Sequence, residues 1–190
     1  ETVTEAMRRH VERELARARA AQAGGAPRRA APAPVARQVV DVLRRTPRGQ
    51  DLAWEVEVPA DLIVHADAQD LAEMLGNLAE NAAQWARGRV RLGAASDEGT
   101  PGLVVLTVED DGPGIAEDRA EEALARGGRL DTTKPGTGLG LAIVGDLAEA
   151  CGGALGLGRS ERLGGLKAEI RLPGGRGDPG SATRSPRPPA

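Results

Sequence analysis

Two asparagines, one aspartate and two clusters of glycine are the residues of this chain whose types and spacing could do chemistry. Asn77 and Asn81 are its only asparagines. They lie four apart within the run from Gly76 to Trp85, which reads as helix, so both fall on one face. Asparagine usually belongs at caps and turns. Two in mid-helix, with none in any loop, point to a job for their side chains. Their amide oxygens suit a hard cation such as Mg2+, which takes one or two protein ligands when it is bound to phosphates. Asp111 lies just beyond the apolar run Leu103–Val108 and is followed by Gly112 and Gly114. It reads as a buried carboxylate that could accept from an exocyclic amine such as adenine offers, a contact of roughly 1.5–3 kcal/mol. Gly136-Thr137-Gly138-Leu139-Gly140 opens a helix whose first N–H groups are unpaired and carry positive partial charge. With no Cβ in the way, phosphate can approach them.

Each motif alone has a plainer reading: a solvated turn, a Gly-rich loop, or a pair of structural amides. In this order they point to a nucleotide. A dinucleotide fingerprint fails on context, because a polar loop and not a strand precedes the second glycine cluster, and the chain has no Walker-type G-K-[ST] cluster.

The elements that must position these groups follow from periodicity. Residues 1–22 carry Val3, Met7, Val11, Leu15 and Ala18, a narrow apolar stripe that predicts an amphipathic helix seamed to a partner helix. A Pro/Ala linker spans 23–33, and a helix is expected over about 34–46. Strand period marks Leu52–Val58, and Leu62-Ile63-Val64 is a short apolar strand. The helix over 68–86 has an apolar face of Leu71, Met74, Leu75, Leu78, Ala82 and Trp85. Its other stripe is Asp70, Glu73, Asn77, Asn81 and Gln84. Strands are expected at 89–94 and 103–110, then a polar loop with a short acidic helix over about 116–126. A helix over 138–151 stops at Gly152-Gly153. Strands at about 154–160 and 166–172 form a hairpin, and the Gly/Pro/Ser/Arg-rich tail 174–190 reads as disordered. Strands grouped with separate helices predict an α+β fold, a mixed sheet with helices on one face, plus the N-terminal helix.

Composition narrows the classes. Aromatic content is 1%, so Leu, Val, Ile and Ala must build the core. A net charge of -3 gives no support for nucleic-acid or membrane-surface binding. The single cysteine, Cys151, cannot form an internal disulfide and reads as a small buried hydrophobe in a reducing compartment. No signal peptide or long apolar run is present, so a cytoplasmic domain is expected, with a longer parent that can still be membrane-bound. His65 reads as structural, and the arginines at 28, 29, 44, 45 and 48 as a solvated face.

With these residues in hand, the chain from about 34 to 173 resembles the catalytic and ATP-binding domain of bacterial sensor histidine kinases, within the wider GHKL group of gyrase, mismatch-repair ATPases and ATP-driven chaperones. Asn77 through Asn81 looks like the N box, Asp111-Gly112-Pro113-Gly114-Ile115 the G1 box, and Gly136 through Gly140 the G2 box. Arg126 through Pro135 resembles the ATP lid of the PhoQ-type branch. The resemblance implies a two-layer α/β sandwich of the Bergerat type. It implies ATP and Mg2+, with Asn81 on the metal, Arg129, Lys134 and Thr137 near the phosphates, and Asn77, Glu80 and Asn81 as the catalytic set. Water-activating relatives carry a glutamate four residues before the metal-binding Asn. Here that position is Asn77, which cannot act as a base, as suits a kinase; the alternatives are a GHKL-type ATPase, an anti-sigma-type serine kinase or a degenerate pseudokinase that serves as an interaction module. Gln84 stands where many members have Lys, and Leu124 where the lid usually has Phe. Residues 1–22 resemble the second helix of the dimerisation hairpin, which puts the acceptor histidine upstream and leaves His10 without that role. The implied partners are that hairpin, a second copy of the parent and a response regulator.

Overall fold

A computed structural model describes residues 28–115 and 140–177. Its elements run α1 (Pro32–Leu43), α2 (Pro47–Gln50), β1 (Ala53–Glu57), β2 (Leu62–Val64), α3 (Ala68–Trp85), β3 (Arg89–Ser96), β4 (Leu103–Asp110), α4 (Gly140–Ala150), β5 (Ala154–Arg159) and β6 (Leu166–Arg176). The six strands form one mixed sheet in the order β1-β3-β4-β6-β2, with β5 also on β6. The β1–β3 pair is parallel and the other pairs are antiparallel. Helices α1, α3 and α4 pack on one face, which gives the expected α+β sandwich.

Strand alternation assigns the two faces. On β4, Val104, Leu106 and Val108 are buried under the helices, joined by Val90 and Leu92 of β3 and Ala168, Ile170 and Leu172 of β6. Between them, Arg89, Arg91, Glu109, Lys167, Glu169 and Arg171 belong to the opposite face, where ion pairs bind several of them together. From the helices, Leu71, Met74, Leu75, Leu78, Ala79 and Ala82 of α3 fill the core. Each fully buried leucine or methionine contributes about 1.5–3 kcal/mol relative to an exposed one. Trp54 is the one buried aromatic, and its Nε1 donates to the Gly49 carbonyl at 2.9 Å.

Boundaries differ from expectation where a tertiary partner intervenes. Helix α1 starts at Pro32, two residues early, because proline at the first turn lacks an N–H that would be unpaired there anyway. It stops at Leu43, and Pro47 opens α2 under a Thr46 cap that accepts from Gly49 N at 3.1 Å. Ala30, assigned to the linker, instead bridges Val64 through two hydrogen bonds of 2.9 Å. Strand β6 runs on through Pro173 to Arg176, into the stretch expected to be a disordered tail. Residues 174–176 pair with β2, and the Pro173 carbonyl accepts from His65 N at 2.7 Å. Cys151 is half-buried at the edge of the core and not within it.

Candidate functional site

The site begins with helix α3. The Asp67 side chain caps its start by accepting from Gln69 N at 2.8 Å. Its far end is capped by Arg48, whose Nε donates to Ala83 O at 3.0 Å and whose Nη2 donates to Ala86 O. Arg48 is exposed, as a solvated face predicts, and its guanidinium also satisfies carbonyls that the helix leaves without partners. Along α3, the whole predicted polar stripe of Asp70, Glu73, Asn77, Asn81 and Gln84 is half-buried, whereas Glu80 is exposed. The stripe therefore lines a surface that is neither core nor open solvent.

Within it, the Asn77 Nδ2 donates to Glu73 O at 2.8 Å, which fixes the orientation of its amide. Its Oδ1 lies beside the first described turn of α4, 3.3 Å from where a Cβ on Gly140 would stand. Glycine at 140 thus lets α4 come up against Asn77. Asn81 lies one turn further along α3 and is half-buried on the same stripe; its side-chain amide carbonyl is an oxygen of the kind a hard cation takes.

The end of β4 corrects the sequence reading. Asp111 was expected to be the buried acceptor. It is only half-buried, and its carboxylate is occupied by backbone donors: Oδ1 accepts from Arg87 N at 2.7 Å, Gly88 N at 3.0 Å and Arg89 N at 3.1 Å. Partial burial pushes its carboxyl up, but the N–H groups of Gly88, Arg89 and Arg87 outweigh this and hold it below the usual value. Asp111 ties the α3–β3 turn to the end of β4. The buried carboxylate is Asp110, 1% exposed. It continues the inward series Val104, Leu106, Val108, and that alternation was the signal in the sequence that could have found it. Its Oδ1 accepts from Gly112 N at 2.8 Å and Leu166 N at 3.3 Å. Among the described residues, nothing donates to Oδ2. Burial raises its carboxyl above the usual value, against the lowering effect of those two N–H groups.

Glycines make room around this carboxylate. A Cβ at Gly112 would stand 2.6 Å from Trp85 O and 2.8 Å from Asp110 Oδ1, and one at Gly165 would run into the Asp110 backbone carbonyl, Asp110 Oδ1 and Gly112 N. Gly114 takes φ +72, which side-chain-bearing residues rarely adopt, and Ile115 is half-buried beside it. The arrangement is a buried acceptor with one oxygen committed and one that no described residue meets, on the strand that packs against the helix carrying the two amides. An exocyclic amine fits the first, and a cation on phosphates fits the second. Arg129, Lys134, Gly136, Thr137, Gly138 and Leu139 lie outside the described residues, as do Leu124, His10 and the helices expected over 1–22 and 116–126. Among the described residues, no helix is long and apolar enough to cross a membrane.

Comparison with known proteins bears on the family and the fold. Residues 66–176 match the family model described as histidine kinase-, DNA gyrase B-, and HSP90-like ATPase. The chain is 48% identical over 125 residues to the sensor protein kinase CarS of Pseudomonas aeruginosa, covering 66% of this chain and 27% of that protein. It is 36% identical over 168 residues to the two-component sensor PhoQ of the same organism, covering 88% of this chain and 37% of that protein. It thus spans well under half the length of these curated relatives. Among solved structures it resembles the mycobacterial sensor histidine kinase MprB, with a TM-score of 0.70 and 30% identity, covering 78% of this chain and 99% of that one.

Proposed function

Because this chain belongs to the histidine kinase-, DNA gyrase B- and HSP90-like ATPase family, as an ATP-binding catalytic domain of the sensor histidine kinase type, we propose that it passes the γ-phosphoryl of ATP to a histidine. That histidine belongs to a dimerisation domain of the parent protein, which acts as a homodimer and hands the phosphoryl on to a response regulator. Residues 1–22 are proposed as part of the dimerisation hairpin, with the acceptor elsewhere in the parent.

The observation that carries this reading is Asp110, whose Oδ1 is held by two backbone N–H groups while Oδ2 meets no described donor. Asp110 is proposed to accept the exocyclic amine of adenine, with Gly112, Gly114 and Ile115 framing the base. Asn77, Glu80 and Asn81 form the proposed catalytic set. Asn81 would hold Mg2+, Asn77 and Gln84 would face the phosphates, and Gly136 through Gly140, with Arg129 and Lys134, would complete their cradle. When bound, Mg2+ supplies charge neutralisation on the phosphates. The role of the chain is positioning and charge stabilisation, since an amide at Asn77 cannot deprotonate water. That keeps the phosphoryl for a protein acceptor.

The test has two parts. A non-hydrolysable ATP analogue is titrated calorimetrically into the chain with and without Mg2+. Labelled ATP is then supplied together with the parent's dimerisation hairpin. Saturable, Mg2+-enhanced binding and an acid-labile, base-stable phosphoprotein are expected. Free phosphate released without phosphoprotein would point to an ATPase, and no binding by folded protein would point to an interaction module.

A further inference from the structure

Strand β4 ends in two adjacent carboxylates on opposite faces of the sheet. Asp110 faces the helices. Glu109 faces the other way, yet it too is buried, at 5% exposed. A buried carboxylate needs partners, and Glu109 has two. Arg91 Nη1 lies 2.5 Å from its Oε1, and the Ser160 hydroxyl donates to its Oε2 at 2.6 Å. Arg91 is held in turn by Glu57 at 2.6 Å.

Ser160 is 1% exposed and opens the turn between β5 and β6. While its hydroxyl donates to Glu109, its Oγ accepts from Leu163 N at 2.9 Å. Its own N–H donates to Gly165 O at 2.9 Å, and its carbonyl accepts from Gly164 N at 2.8 Å. The far end of the same turn holds Asp110: Gly165 N donates to the Asp110 carbonyl at 3.1 Å, and Leu166 N donates to Asp110 Oδ1 at 3.3 Å. One six-residue turn is therefore fastened to Glu109 on one face of the sheet and to Asp110 on the other.

We propose that Ser160 is a positioning residue for base recognition. Through its hydrogen bond to Glu109 it fixes the β5–β6 turn, so that Leu166 N keeps Asp110 Oδ1 engaged and Oδ2 faces the base. This rests on the reading of Asp110 as the adenine acceptor. The chemistry asks for a hydroxyl. Only a group that donates and accepts at once can serve Glu109 and Leu163 N together. Alanine takes the donor from Glu109 Oε2 and the acceptor from Leu163 N, whereas threonine keeps the hydroxyl.

The test is the ratio of ITP to ATP affinity in the whole chain, read by displacement of a fluorescent ATP analogue. Inosine carries an oxygen where adenine carries the amine, so the ratio reports base reading and cancels a general loss of binding. Ser160→Ala is expected to shrink the preference for ATP by about five- to tenfold, and Ser160→Thr to restore it. If the alanine variant does not fold, Ser160→Cys, similar in size with a weak donor, carries the same measurement. An unchanged ratio in Ser160→Ala, with both affinities equal to wild type or lowered together, overturns the inference. If Asp110→Asn also leaves the ratio unchanged, the underlying reading of Asp110 fails instead.

Discussion

Replacing Asp110 with asparagine exchanges one oxygen for an amide and leaves the size of the side chain almost unchanged. The structure dictates which oxygen is lost. Oδ1 is anchored by Gly112 N at 2.8 Å and Leu166 N at 3.3 Å, so the asparagine carbonyl must stay there to keep accepting. The new NH2 then takes the place of Oδ2 and meets the exocyclic amine of adenine donor to donor. The lost contact is a hydrogen bond to a charged acceptor, worth about 1.5–3 kcal/mol, or roughly 10- to 150-fold in Kd. Stability should move the other way. Burial raises the Asp110 carboxyl above its ordinary 3.8. The folded state therefore holds this proton more tightly than the unfolded chain does. The stabilisation this gives is fully present below 3.8 and is lost as pH rises through the raised value. Asparagine is neutral and removes that loss, so Asp110→Asn should melt at or above the wild-type temperature at neutral pH. Calorimetric titration with the Mg2+-bound ATP analogue, beside a thermal melt, reads both effects. Affinity within twofold of wild type would refute the reasoning, as would finding the loss in Asp111→Asn instead.

Asp111→Ala removes the acceptor of three backbone N–H groups and should lower stability by about 1–2 kcal/mol, read by denaturant titration, while the ITP-to-ATP ratio stays at its wild-type value. Asn81→Ala should weaken binding of the ATP analogue in Mg2+ and leave it unchanged in chelator; equal loss in both would mark Asn81 as structural. Glu57 is lowered from 4.5 to about 2 by hydrogen bonds from Arg91 and Arg162. A lowered carboxyl stabilises the fold above 4.5 and loses that contribution as pH falls toward 2. Glu57→Gln should therefore flatten the acid limb of a circular-dichroism pH titration in that window. Because Glu57 lies at the surface, the difference from wild type should shrink in 1 M salt.

Helix α3 was legible almost to the residue. Its apolar positions recur at helical spacing, and the complementary stripe from Asp70 to Gln84 could only sit on the other face. The ladder of β4 was equally plain from Val104, Leu106 and Val108. The two aspartates after it were harder, because neighbours in sequence can have opposite environments at a strand end. Counting the alternation one step further selects Asp110. Choosing by proximity to the glycines selects Asp111.

Other features needed the third dimension. Proline and two glycines after Leu172 read locally as the end of a strand, yet β6 continues because β2 arrives to pair with it. Arg48 looks like any surface arginine until α3 ends beside it with Ala83 and Ala86 carbonyls to cap. Ser160 is one serine in a turn until Glu109, 51 residues earlier, meets it across the sheet. Periodicity is a property of a few consecutive residues, which is why most of the described elements and the fold class can be read locally. Which carboxylate is buried, which cation caps a helix and which hydroxyl steadies a turn depend on groups far apart in the chain. Packing settles them, because a buried polar group takes its role from the partners brought to it in the fold.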